Sequence, residues 1–185
     1  MFLLLVLALA VALVPVSGGR LRALSDLRFR APWLLFASLG ILVGLLTFPG
    51  EENWIRTALY LATYPLTAAF VIVNRRVPGL WIVGIGALLN FAAIAANGGV
   101  MPASAQALRA AGLVADPDVY SNSAVLADPR LLFLGDVFAI PRSWPFANVY
   151  SVGDVVIVLG AAYTVHRVAG SRLVGRRRVP DAPGV

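Results

Sequence analysis

The chain has 185 residues, 59% of them hydrophobic and 13% charged, with a formal net charge of +6, a mean hydropathy of +0.84 and no cysteine. Soluble domains run closer to roughly 45–50% apolar and 25% charged, so lipid is the solvent in which this sequence is to be read. A chain without cysteine has no disulfide framework, thiol nucleophile or thiolate metal site, and a single histidine, His166, is too few for a histidine metal centre, so no metal and no cofactor are predicted.

The first apolar run, residues 2–16, has no basic residue before it, unlike a secretory leader, and reads as a retained first helix. Ser17-Gly18-Gly19 is where cleavage would fall if it were a leader instead. Arg20, Arg22, Arg28 and Arg30 follow in a loop with one acid, Asp26, which predicts a cytoplasmic, juxtamembrane anchor facing anionic headgroups. The second run, 32–48, ends at Pro49-Gly50 with Glu51 and Glu52 behind it, and so emerges on the outer face. The third, 54–73, opens on Trp54 at the interface and ends in the basic turn Asn74-Arg75-Arg76-Val77-Pro78-Gly79. The fourth, 80–96, carries no charge, and Gly40, Gly44, Gly84 and Gly86 are placed to let helices approach closely.

Residues 97–150 change character, with prolines, aspartates and no run long enough to span; this is an outer-face segment with one short helix near Ala103 to Ala111. The last apolar run, 152–168, leads into Arg167, Arg172, Arg176, Arg177 and Arg178. The predicted fold is thus an all-α integral membrane protein, a bundle of about five transmembrane helices with a partly helical outer-face cap. Residues 1–170 form one transmembrane domain and 171–185 a basic, disordered cytoplasmic tail. The predicted inner segments hold 11 of the 15 arginines and the outer segments seven of the nine acids, which sets the N-terminus outside and the C-terminus in the cytoplasm of a bacterial inner membrane. Arginines that flank apolar runs set topology, so membrane lipids and other membrane-protein subunits are the expected partners and nucleic acid is not.

The outer segment carries whatever chemistry the chain has. Asn97-Gly98-Gly99-Val100-Met101-Pro102 reads as a loop-forming or ligand-facing element, and equally as a helix stop with a glycine cap. Asp136 and Asp154 each fall where an apolar stretch meets the interface. Brought together they would share a proton, as an acid and a base able to activate water against an amide. The competing reading of Asp154 is a capping box with Ser151. Asn90, inside the fourth helix, is expected to join helices by a hydrogen bond.

Over nearly the whole chain, Gly18-Gly19-Arg20-Leu21, Asn97-Gly98-Gly99-Val100-Met101-Pro102, Leu134-Gly135-Asp136-Val137 and Ser151-Val152-Gly153-Asp154 resemble a bacterial family of small multi-pass membrane proteins carrying only an unknown-function label. That resemblance implies no activity. The stretch Trp144 to Asp154 running into an apolar helix is similar to the end of lipoprotein signal peptidases. This second resemblance implies a catalytic dyad of Asp136 and Asp154, with Asn148 in the neighbouring polar position. The sequence differs from that pattern at Gly153, in the longer link from Asn148 to Asp154, and in lacking the upstream Gly-Asn-x-x-Asp-Arg element. Whether the chain performs a reaction is left open by sequence, with an uncharacterised membrane component as the leading reading and an aspartic peptidase-like hydrolase as the alternative.

Overall fold

The computed structural model describes residues 2–48, 53–113 and 123–175, so Glu51, Glu52, Asp116, Asp118, Arg176, Arg177, Arg178 and most of the expected tail lie outside the described residues. Helices dominate: α1 (Phe2–Val16), α2 (Arg22–Ser25), α3 (Trp33–Thr47), α4 (Trp54–Val73), α5 (Leu80–Ala96), α6 (Ala105–Ala111) and α7 (Val152–Val168). The long helices pack as a row in which α4 lies between α3 and α5, α5 between α4 and α7, and α7 between α5 and α1.

Local signals in the sequence start and stop these helices. The Asn53 side chain accepts from the amides of Ile55 and Arg56 to begin α4. Arg56 then donates to the carbonyls of Phe48 at 3.0 Å and Leu45 at 2.7 Å, where α3 ends and its last carbonyls need partners. Gly79, at φ +88°, opens α5; an added Cβ would lie 2.5 Å from Tyr163 Cδ1, so only glycine fits both the backbone and the space.

Cross-element bonds gather the basic turns at one end of the row. Asn74 accepts from the Arg30 amide at 2.7 Å and donates to the Arg30 carbonyl at 2.8 Å. The Arg20 amide donates to Ala169 O, the Arg172 amide to Ser17 O, and the Ser17 and Ser171 hydroxyls share a 2.6 Å bond. Arg20, Arg22, Arg28, Arg30, Arg75, Arg76, Arg167 and Arg172 therefore lie in segments at a common arginine end, and residues 97–113 and 123–151 make a cap at the other.

Two short sheets build that cap, where sequence predicted only a short helix and no strand. β1 (Met101–Pro102) pairs in parallel with β2 (Ser123–Ala124), and β3 (Asp136–Ile140) pairs antiparallel with β4 (Asn148–Ser151). Strands of two to five residues leave too little alternation to stand out in a sequence, and pairing across a 20-residue gap is a tertiary decision. α6 packs on β3 and β4 through Ala107, Ala111 and Val149. A second cluster, Leu45, Tyr60, Ala93, Ile94 and Met101, fills the junction of cap and helices.

The structure bears on two further sequence expectations. Gly40 and Gly44 face open space, so they make no close approach within the chain, whereas Gly84 meets Val71 and Gly86 meets Gly153 and Ile157. Of the five expected spans, α4 alone among the described residues is both long and apolar enough to cross a membrane; α1, α3 and α5 are shorter apolar helices. α7 carries Asp154, His166 and Arg167 within its 17 residues, which dilutes its apolar character.

Candidate functional site

β4 runs without a break into α7, and Ser151 is the joint. Its extended backbone makes it the N-cap: Ser151 Oγ accepts from the Asp154 amide at 2.9 Å, and Asp154 Oδ2 accepts from the Ser151 amide at 3.1 Å. This is the expected capping box, which satisfies two otherwise orphaned donors and puts a carboxylate at the helix N-terminus. Asn90 on α5 closes the box into a ring, since its Nδ2 donates to Asp154 Oδ1 at 2.8 Å while its Oδ1 accepts from Ser151 Oγ at 2.7 Å. Asn90 thus joins helices as expected.

The ring exists because the helices are allowed to touch. A Cβ on Gly153 would lie 2.0 Å from Asn90 Oδ1 and 2.5 Å from Gly86 O, and one on Gly86 would lie 2.6 Å from Gly153 O. One turn-pair further along α7, Gly160 meets the Val83 amide and Ile82. Small residues at these positions bring α5 and α7 together closely enough for a short amide to reach the other helix's cap.

Asp136 enters from the opposite side. It begins β3 directly across from Ser151, bridges to Ala103, and accepts the Ser104 amide on its main-chain carbonyl at 3.0 Å. Its side chain is 6% exposed and accepts a hydrogen bond from the Ser123 hydroxyl. Burial pushes the Asp136 carboxyl up to about 6, the Ser123 bond opposes that rise, and the negative charge of Asp154 adds to it. Asp136 and Asp154 are therefore electrostatic neighbours with different duties. Asp154 has both oxygens engaged by the ring, while Asp136 sits near the midpoint of its titration at mildly acidic pH.

The remaining predicted site residues serve the cap. Asn97 ends α5, where its Nδ2 donates to the carbonyls of Ala93 and Arg130, each at 2.7 Å, and its Oδ1 accepts the Arg130 amide at 2.8 Å. Gly98 (φ +67°) and Gly99 (φ +100°) turn the chain in left-handed conformations, and Gly99 leaves no room for a Cβ against Thr57. Met101 and Pro102 are buried in β1, with the Pro102 carbonyl pressed against Gly135. Asn148 stands at the far end of the β3–β4 ladder, opposite Ile140, and its Oδ1 accepts the neighbouring Val149 amide, so the structure does not bring it to the aspartates.

Ser123 and Ser104 were not singled out from sequence, and nothing local marks them: each becomes a partner of Asp136 only through strand pairing. His166 is 5% exposed with Nδ1 unpartnered among the described residues, but it lies at the arginine end of α7, a helix length from the carboxylates. Among the described residues no group of three or more His, Asp or Glu side chains gathers to hold a metal.

These features define a mostly helical protein with, among the described residues, one span-capable helix, and a cap clasped to its helix ends by a carboxylate, hydroxyl and amide network. The chain belongs to a family of unknown function, DUF5317, whose model matches residues 26–166. It is also 32% identical over 91 residues to an uncharacterized protein of Thermotoga maritima, covering 49% of this chain and 52% of the relative. The chain thus spans about half the length of that curated relative. No solved structure matches it significantly.

Proposed function

We propose that this chain is a multi-pass component of the bacterial cytoplasmic membrane, with α1, α3, α4, α5 and α7 crossing the bilayer and a structural, non-catalytic cap on the outer face. The observation that carries this reading is apolar surface turned outward along every long helix. Only 17% of the α4 span is buried, and Leu9, Phe36, Leu39, Leu88 and Leu159 are each more than half exposed. Water would not tolerate a continuous surface of this kind, whereas lipid would cover it at no cost. Trp33 and Trp81 at the arginine end and Trp54 and Trp144 at the cap end, all exposed, suit the two headgroup layers. At 15 residues α1 and α3 are about 22 Å long, shorter than a hydrocarbon core of roughly 30 Å, so the bilayer thins around them or their flanks enter the interface.

Gathering the arginine-bearing turns at one end supports placing that end in the cytoplasm, N-terminus and cap outside. Within the cap, Asp154 is committed to helix capping and to Asn90, which favours a membrane-complex subunit or a lipid- or ligand-binding module over a hydrolase. Because the chain has no cysteine, single-cysteine labelling on intact cells tests the arrangement. Trp144→Cys should react with an impermeant maleimide and Ser25→Cys only after lysis; the opposite pattern overturns the orientation, and release of the protein by alkaline carbonate overturns membrane insertion.

One observation favours the aspartic hydrolase as a second reading: Asp136 is a buried carboxyl with its pKa raised to about 6 beside Asp154. It would require Asp154 to leave Asn90. Asp136→Asn and Asp154→Asn should then each abolish cleavage of a membrane-anchored peptide while inserting normally, and cleavage surviving in either variant ends this reading.

A further inference from the structure

Between α4 and α5, away from the cap, runs an apolar groove of about 470 Å³. Its walls include Pro65, Ala68 and Val71 on α4 and Gly84, Ala87 and Leu88 on α5. Ala68 and Ala87 keep its walls low, and at Gly84 α5 closes onto α4, where an added Cβ would lie 2.9 Å from Val71 Cγ1. Thr67 also lines it, but its hydroxyl donates to the Thr63 carbonyl at 2.9 Å, so the wall presents methyl and methylene groups. Toward the cap the rings of Tyr64 and Phe91, with centroids 5.2 Å apart, cross the space. An unbranched hydrocarbon suits such a slot.

The other end of the groove names the headgroup. Val71 and Gly84 lie about one helical turn from the hairpin that joins α4 to α5, and that hairpin presents Arg75 and Arg76, both exposed. Asn74 clasps the Arg30 backbone through the two bonds already described, which fixes the segment carrying Arg28 and Arg30 against the same turn. Asp26 is the one acid among the described residues at this end, and among those residues no ion pair engages Arg75 or Arg76. Trp81, 57% exposed in the first turn of α5, stands where an interfacial indole would flank a glycerol backbone.

We infer that this groove and turn form one site for an anionic glycerophospholipid, with an acyl chain between α4 and α5 and the headgroup phosphate read by Arg75 and Arg76. Arginine suits that role because its planar fork donates to two phosphate oxygens at once. The inference rests on the membrane reading above and adds to it the class of lipid and its location.

Protein reconstituted into vesicles of phosphatidylglycerol and phosphatidylcholine, then extracted in mild detergent, carries its retained lipid into mass spectrometry. The wild-type chain should retain phosphatidylglycerol about tenfold above its bulk ratio, the preference two interfacial arginines can supply. Arg75→Gln/Arg76→Gln, which changes only two exposed side chains of the turn, should lose that preference while still retaining lipid. Ala87→Phe, which fills the slot, should retain little lipid of either kind. Unchanged enrichment in the double glutamine variant, or retained phosphatidylglycerol in a folded Ala87→Phe protein, overturns the inference. Insertion without any enrichment overturns it alone, whereas failure to co-sediment with vesicles of either composition overturns the membrane reading with it.

Discussion

Replacing Asp136 by asparagine should change how stability depends on pH, and the structure sets the size of the effect. The carboxyl moves from an ordinary value of 3.8 to about 6 on folding, chiefly through burial. A rise of about two units corresponds to about 3 kcal/mol of preference for the neutral form in the folded state. The folded pKa lies above the unfolded one, so below pH ~4 both states hold the proton and no penalty exists. As pH climbs through the window from 3.8 to about 6 the unfolded chain ionises first, and folding stability falls until the full penalty is present above the folded value. An amide stands in for the protonated carboxyl, occupying nearly its volume and still accepting from the Ser123 hydroxyl. Asp136→Asn should therefore be more stable than wild type by about 3 kcal/mol at pH 7.5 and within about 0.5 kcal/mol of it at pH 4. Unfolding by sodium dodecyl sulfate in mixed micelles, followed by tryptophan fluorescence at several pH values, reads this difference directly. Other titrating groups act on both proteins and cancel. Parallel pH curves for the two proteins would refute the claim that burial of Asp136 perturbs its ionisation.

Gly153→Ala should cost about 3 kcal/mol and lower the midpoint of the same unfolding titration, because the new methyl would occupy the space of Asn90 Oδ1 and Gly86 O, while Gly40→Ala, facing open space inside α3, should raise the midpoint slightly, by up to about 1 kcal/mol. Ser151→Ala removes the N-cap of α7 and strands Asn90 Oδ1, so it should cost about 2 kcal/mol; hydrogen exchange should rise in the first turn of α7 and in β4, and unaltered protection there would contradict the proposed clasp.

Helix positions were legible in the sequence because each is written locally. The bounds 2–16, 54–73, 80–96 and 152–168 read from mostly apolar runs are those of the helices α1, α4, α5 and α7, and the structure trims the second run by one residue at each end. Asp154 as a capping partner of Ser151 was legible for the same reason, since the two are three residues apart. The glycine turn after Asn97 was legible from the left-handed backbone that two adjacent glycines permit.

What only the tertiary structure decided lies across longer separations. Ser123 meets Asp136, Ser104 supports it, Asn90 reaches Ser151 across 61 positions, and Asn74 holds Arg30 across 44. Asn148, adjacent to the aspartates in sequence pattern, is carried to the wrong end of a hairpin by strand register. Gly40 and Gly84 look alike in sequence, yet one faces open space and the other a valine of α4, since which face of a helix is covered depends on its neighbours in the row. Apolar length and local caps are properties of a segment, so local residue order determined them; contact between segments depends on how faces pair, which no single segment encodes.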